Sequence, residues 1–296
     1  MSPGITNVYI TTTPRFSCLV IESIKPLKFF IKKIAARKYE IILNKPLIMA
    51  PDTICVFDGL VNTVEVMEKG QRSVISVSLK YTCTLEVKLE GQVPARLIIL
   101  FDRYFLQDLL KNKVIIIDPG HGGKDFGHRG YINLLEKNVV MDIAKFLKQE
   151  LMNYGAYAIM TREKDLALNI KERVNTAVLL EAEMFISLHT NWDKDKEVNG
   201  AKGIYFGKQG KILCEAILME IEKKLKLQSL GIKEAENLSQ IPQSRYIKQI
   251  PYANIKVCTI SNPVEEGWLR SPIFKHRLAV AIVNGIANYL SRNKKY

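Results

Sequence analysis

Two hydrophobic patterns follow one another along this 296-residue chain, and they change over near residue 110. Before that point short β-forming runs recur: "NVYITTT", "YEIILN", "TICVFDG", "SVISVSLKYTCTLEVKLEG" and "ARLIILFD", with turn residues between them. In the fourth run apolar and polar residues alternate with a period of two, as they do in strands with one face in a core and one in water. Residues 1–108 are therefore expected to form a small antiparallel β domain of the sandwich type. "RYFLQDLLKNK" (103–113) reads as a partly helical connection.

From residue 113 the period alternates between two and 3.6. "KVIIID", "AYAIMTR", "MFISLH", "AKGIYFG" and "NIKVCTIS" read as strands. "LLEKNVVMDIAKFLKQELMNYG", "IKERVNTAVLLEAE", "KILCEAILMEIEKKLKL" and "FKHRLAVAIVNGIANYL" read as helices. In the first helix Val139, Ile143, Phe146, Leu147, Leu151 and Tyr154 share one face, and Gly155 stands where a C-terminal cap needs a left-handed residue. Repeated βα units over residues 109–296 predict an α/β domain, a mainly parallel sheet with helices on both faces.

Composition narrows this picture. Hydrophobic residues make up 47% of the chain, enough for packed cores. No apolar run approaches the 18 or more residues of a membrane span. The N-terminal "MSPGITNVYITTTPRF" lacks a basic region followed by an apolar one, so no signal peptide is expected. The net charge of +13 favours polyanionic partners, but no nucleic-acid-binding signature occurs and the lysines are spread along the chain. Cys18, Cys55, Cys83, Cys214 and Cys258 form no CxxC pair, which argues for core packing over a thiolate metal site or a disulfide scaffold.

Candidate chemistry sits where strands end. In open α/β sheets ligands bind outside the carboxyl ends of the strands. His121 follows "IIIDPG" and His189 follows "MFISL", so both stand at such ends. His121 reads either as a histidine in a tight glycine turn or as a metal ligand, with the glycines admitting a ligand to the backbone. A catalytic zinc site has three protein ligands and an open position, and Glu136 at the start of the first helix is a candidate third. Its other reading is structural, Asn133 and Glu136 as N-cap and N3 of a capping pair. His128 lies in a glycine-flanked loop that is either solvent-exposed or part of the site, and His276 reads as a helix-surface residue.

"IIIDPGHGGKDFG", "LLEKNVVMDIAKFLKQEL", "MTREKDLALNIKERVNTA" and "MFISLHTN", with the closing "ISNPVEEGWLRSPIFKHRLAVAIVNGIANYL", together resemble the zinc-dependent N-acetylmuramoyl-L-alanine amidases of bacterial peptidoglycan. The resemblance runs in order over roughly residues 113 to 292. It implies that His121, Glu136 and His189 bind one Zn²⁺. The implied reaction is hydrolysis of the amide between N-acetylmuramic acid and L-alanine. Implied partners are peptidoglycan and anionic cell-wall polymers, and the implied location is the cell envelope or the extracellular space. In composition the N-terminal β region is similar to the AMIN wall-targeting domain that often precedes such enzymes.

One stretch departs from the family. Its usual strand "P-A-V-L-V-E-V-G-F-L-S-N-P" is replaced by "PYANIKVCTISNP", anchored in the same register by Pro251 and by Ser261-Asn262-Pro263. Lys256 stands where the family places its catalytic glutamate, and Cys258 and Thr259 hold the glycine and aromatic positions. An ammonium cannot accept a proton. The sequence thus predicts an amidase with weakened hydrolysis, or alternatively a catalytically inactive peptidoglycan-binding protein on the same fold. A cytoplasmic hydrolase of soluble muropeptides is a third reading, consistent with the missing signal peptide. Glu265 and Glu266 are the carboxylates nearest in sequence that could substitute as base, although a loop or helix-cap role suits them as well.

Overall fold

The structure, a computed structural model, describes residues 4–235 and 249–292 and divides into two compact units at residues 108/109. The first unit is all-β up to a short helix at its end. One antiparallel sheet contains β1 (Ile5–Thr12), β2 (Phe16–Ser23), β8 (Leu85–Glu90) and β9 (Ala95–Asp102) in the order β1-β2-β9-β8. The other contains β3 (Phe29–Ala35), β4 (Lys38–Leu43), β5 (Asp52–Cys55), β6 (Val61–Lys69) and β7 (Arg72–Leu79) in the order β3-β4-β7-β6-β5. Alternate residues of each sheet are buried, Leu19, Ile21, Leu97 and Ile99 on one, Ile41, Leu43, Val64 and Ile75 on the other. The Tyr39 and Phe101 rings, 6.0 Å apart, join the two layers.

The run "SVISVSLKYTCTLEVKLEG" supplies two strands that lie in different sheets, β7 in the second and β8 in the first. The alternation continues through Lys80–Thr84, but the chain uses those residues to cross between layers, which a period of two cannot reveal. "RYFLQDLLKNK" contains the helix α1 (Tyr104–Leu110).

The second unit is built on a six-stranded sheet of order β11-β10-β12-β15-β13-β14. Its strands are β10 (Val114–Pro119), β11 (Tyr157–Met160), β12 (Met184–Asn191), β13 (Ala201–Phe206), β14 (Ser229–Glu234) and β15 (Tyr252–Thr259). The first three and β15 run parallel, and β13 enters antiparallel to β15. Helices α2 (Glu136–Asn153), α4 (Gly207–Leu225) and α6 (Pro272–Ser291) pack together on one face. Helix α3 (Ile170–Leu179) lies on the other, where Val174 and Ala177 meet Ile116 and Phe185 in a small core. α3 opens with a capping box, Asn169 accepting from the Glu172 amide while the Glu172 carboxylate accepts from the Asn169 amide. A short helix, α5 (Pro263–Arg270), links β15 to α6 and is capped by Asn262.

Parallel pairing fixes what reaches the carboxyl rim. Asp118 pairs with Ser187, and Ser187 with Asn254, so these three side chains share the α3 face. Two residues further along, His189 pairs with Lys256, and Lys256 with Lys202 of β13. The rim therefore presents histidine, lysine and lysine in one row.

The packing of α4 against α6 is set by a glycine. A Cβ on Gly285 would stand 2.5 Å from the Ile217 Cα, a backbone atom that cannot move aside alone. Alanine in place of glycine favours a helix by about 1 kcal/mol, whereas overpacking a tight contact costs about 1–3 kcal/mol. Gly285→Ala should therefore destabilise the fold by up to about 2 kcal/mol net, read as a lower urea midpoint of unfolding. A raised midpoint would show that the two helices separate freely.

Candidate metal centre

His121, Glu136 and His189 converge on one point although they come from three elements. His121 follows β10, Glu136 is the first residue of α2, and His189 is near the end of β12. The His121 Nε2 and the His189 Nδ1 are 3.2 Å apart. Each is near the same carboxylate oxygen, Glu136 Oε1, at 3.3 Å and 3.2 Å. Two ligands on a tetrahedral zinc at roughly 2.0–2.1 Å stand about 3.3 Å from each other. The three atoms thus have the spacing of one face of a tetrahedral coordination shell.

The tautomer of His121 adds to the fit. Its Nδ1 is 2.8 Å from Asp125 Oδ2, an acceptor, so in the neutral ring Nδ1 carries the hydrogen and Nε2 presents a lone pair to the cluster. Neutral imidazole lone pairs and a carboxylate oxygen pressed to within 3.3 Å repel one another unless a cation or a proton lies between them. Burial pulls the His121 imidazolium down, but Glu136 and Asp125 outweigh it and hold the pKa above the ordinary value. Burial likewise pushes the Glu136 carboxyl up, and contacts with His121, His189 and the His128 and Thr190 amides hold it well below the carboxylate range.

Glu136 is fully buried, and the expected capping role is not what the structure shows. α2 begins at Glu136 itself, its N-cap is Leu135 with no side-chain capping bond, and Asn133 adopts a left-handed φ of +66° in the loop before it. Both carboxylate oxygens face the site: Oε1 accepts from the Thr190 amide at 2.8 Å, and Oε2 from the His128 amide at 2.8 Å. The glutamate is too close to the helix start to serve as N3, which leaves it free to point at the rim.

The glycines of "DPGHGGKDFG" have a steric purpose. A Cβ on Gly120 would stand 2.2 Å from the His189 Cε1. One on Gly127, at φ +67°, would stand 2.6 Å from the His121 Cδ2 and 2.7 Å from Glu136 Oε2. His121 itself takes a φ of +60°, a conformation uncommon for a side-chain-bearing residue and concentrated at functional sites.

Two arginines hold that loop from below, and sequence reasoning missed both. Arg173 of α3 donates to the Pro119 and His121 carbonyls and pairs with the buried Asp118 at 2.7 Å. Arg162, after β11, donates to the Pro119, Gly120 and Lys137 carbonyls. Asp125 was also missed; an acidic residue four positions after a loop histidine was the available signal. His128 is both exposed and part of the site: its Nδ1 is 2.9 Å from Glu136 Oε2 and its ring lies nearly parallel to Trp192. His276 sits on the helix surface, bonded to Glu150.

The carboxylates offered as substitute bases are occupied. Glu265 is buried, with Oε1 accepting from the Gly200 amide and Oε2 from the Thr259 amide. Glu266 is buried and accepts from the Ile132 and Leu134 amides and from Arg270. Lys256 is at the rim beside His189, half-buried. Burial pulls its ammonium pKa down, the Glu136 charge opposes that, and Lys202 adds to it. Past Lys256 the β12–β15 register shifts, and Val257, Cys258 and Thr259 are all buried, so strict alternation ends there.

The family model of N-acetylmuramoyl-L-alanine amidases matches residues 115–288. The chain belongs to that amidase family. It is 32% identical over 196 residues to the germination-specific N-acetylmuramoyl-L-alanine amidase of Bacillus subtilis, covering 62% of this chain and 81% of that one. It is 31% identical over 184 residues to the probable cell wall amidase LytH of Staphylococcus saprophyticus, covering 62% of this chain but only 60% of the relative. Among solved structures it resembles the N-acetylmuramoyl-L-alanine amidase AmiC2 of Nostoc punctiforme, at 30% identity and a TM-score of 0.56, over 61% of this chain and 98% of that one. The catalytic domain of CwlV from Bacillus (Paenibacillus) polymyxa is similar at 28% identity and a TM-score of 0.55. Within this amidase fold the parallel sheet and its rim are the shared part; the N-terminal β unit lies outside the matched residues.

If the triad holds Zn²⁺, Gly120→Ala should lower that affinity about 10- to 100-fold, the range seen when groups orienting a ligand are disturbed. Chelator competition measures it, with Gly91→Ala as control, because a Cβ there meets nothing within 4 Å. Equal affinities in both variants would show that the His189 ring position is not set by this glycine.

Proposed function

We propose that this amidase-family chain holds a Zn²⁺ at His121, Glu136 and His189 and uses that site on the amide between N-acetylmuramic acid and L-alanine in peptidoglycan. The observation that carries the proposal is the triangle of Nε2, Nδ1 and Oε1 with edges of 3.2–3.3 Å, in a chain whose residues 115–288 match the amidase family. Bound zinc supplies Lewis-acid polarisation of the scissile carbonyl and lowers the pKa of water. Asp125 and Arg173 keep His121 in its tautomer and place, and the glycines leave room for the rings. Exposed Trp192, stacked on His128 on one side, and Tyr131, with the Lys196 ammonium over one side, each leave one ring face for a glycan near the rim. Relatives described as cell wall amidases support a place in the cell envelope, and the N-terminal β unit suits attachment to the wall. Among the described residues no helix is long and apolar enough to cross a membrane.

Proton transfer is the weak step. The family's carboxylate position holds Lys256, and Glu265 and Glu266 each spend both oxygens on backbone or arginine donors. General acid–base assistance is worth about 10² to 10⁴ in rate, so hydrolysis is slower by about that factor than with a carboxylate in place. The same observation favours a second reading, a wall-binding protein with no turnover on the amidase fold.

Stem-peptide release from purified sacculi separates the two. Wild type should be slow, and Lys256→Glu should raise the rate at least tenfold without changing zinc content. Because Cys258 and Thr259 shape the strand past Lys256, the triple variant with Cys258→Gly and Thr259→Phe tests whether geometry limits the single one. Wild type as fast as both variants would show that Lys256 does not mark a lost base; no release by any of the three, with the protein still retained on sacculi, would favour the binding reading.

A further inference from the structure

We propose that Lys256 and Lys202 form a subsite for the carboxylate of a peptide ligand, beside the His121–Glu136–His189 cluster. The inference rests on the reading above in taking the rim as the place where ligand binds. Register puts His189, Lys256 and Lys202 in one row across β12, β15 and β13, with their side chains on the same face. Both lysines are half-buried, and among the described residues neither ammonium has a hydrogen-bond or ion-pair partner. Like charges opposite each other across two strands destabilise the pair, and partial burial without a partner adds to the strain. A ligand anion seated between them relieves both penalties at once. The Glu136 charge favours the Lys256 ammonium, but its oxygens are committed to the histidines and amides of the cluster, and Glu265 and Glu266 face away into backbone amides.

The neighbouring row indicates what carries the anion. Two residues before Lys256, Asn254 lines a cleft of about 270 Å³ on the α3 face, with Ser187, Phe185 and Tyr252. The Asn254 side chain contacts Tyr252, and among the described residues its buried Oδ1 has no hydrogen-bond partner. A buried acceptor left unpaired is rare and marks a place for a ligand donor or an ordered water. The charged residues of that cleft are already committed, Arg173 to Asp118 and Asp125 to His121. An acceptor and a cation two residues apart on a strand stand roughly 7 Å from each other. That is the span of two residues of extended peptide, from an amide N–H to a following carboxylate. Inorganic phosphate or a phosphate polymer would satisfy the lysines and leave Asn254 unpaired.

Calorimetry on the zinc-loaded full chain tests this with three probes: an N-acetylated alanyl dipeptide as free acid, its C-terminal amide, and inorganic phosphate. Wild type should bind the acid about tenfold or more tighter than the amide, as a charge-assisted contact provides. Lys202→Gln and Lys256→Gln should each shrink that ratio, and the double variant should abolish it with zinc content unchanged. Any carboxylate contact with the metal survives in these variants, so the loss reports the lysines. Lys256→Arg and Lys202→Arg should keep most of the discrimination, which separates charge from misfolding. Asn254→Ala should weaken acid and amide alike. An acid-to-amide ratio near one in wild type, or one unchanged in the double variant, overturns the proposal. Lysine-dependent binding of phosphate without that of the acid overturns it too. Assayed on the same preparations, sacculi left intact despite lysine-dependent discrimination would defeat the amidase reaction and leave the subsite standing. Hydrolysis without discrimination would do the reverse.

Discussion

A fully buried carboxylate, Glu136, is the constraint around which the α/β unit is arranged. Removing such a group from water costs several kcal/mol unless donors or a cation surround it. The structure supplies the Thr190 and His128 amides and the two imidazoles of His121 and His189. Those partners come from the end of β12 and from the loops around β10 and α2, so satisfying one carboxylate fixes the relative heights of three elements. The loop that carries His121 can approach only because Gly120 and Gly127 lack side chains, and it is tied down because Arg162 and Arg173 occupy its carbonyls.

The same economy explains the opposite side of the rim. β15 leaves strict register after Lys256, and the stretch that follows is held by Glu265, which takes the Thr259 amide together with that of Gly200. Glu266 does the equivalent for the loop leading into α2 through Ile132 and Leu134. Two carboxylates within one short helix thus act as backbone clamps on either flank of the site, and neither is free for chemistry. What remains facing the cluster from β15 is an ammonium. The rim therefore joins a triad with the spacing of metal ligands to two ammonium groups, Lys256 and Lys202, where the family has a carboxylate at the first of them.

The fold was legible wherever a period was unambiguous. Alternation in the first unit and βα alternation in the second led to a β layer structure followed by a mainly parallel sheet. Strand-end placement marked His121 and His189. Glu136 was ambiguous because a first-turn glutamate is also the commonest partner in a capping pair; only the observed helix start removes that reading. The crossing of Lys80–Thr84 between sheets was hidden because alternation persists on both sides of it. Arg162, Arg173 and Asp125 were hidden for a different reason. Their importance lies in which carbonyls and ring nitrogen they reach, and those contacts join residues up to 54 positions apart. The shared row of His189, Lys256 and Lys202 likewise depends on strand order, with β13 inserted beyond β15, which no local pattern encodes.

The central claim is that His121, Glu136 and His189 are the ligands of one zinc ion. X-ray absorption at the zinc edge of the purified, zinc-loaded chain tests it most directly. The account predicts a first shell of nitrogen and oxygen only, two imidazoles and one carboxylate at about 2.0–2.1 Å with solvent completing four-coordination, and loss of one imidazole in His189→Ala. A shell containing sulfur at about 2.3 Å, or one unchanged by removal of His189, would contradict it.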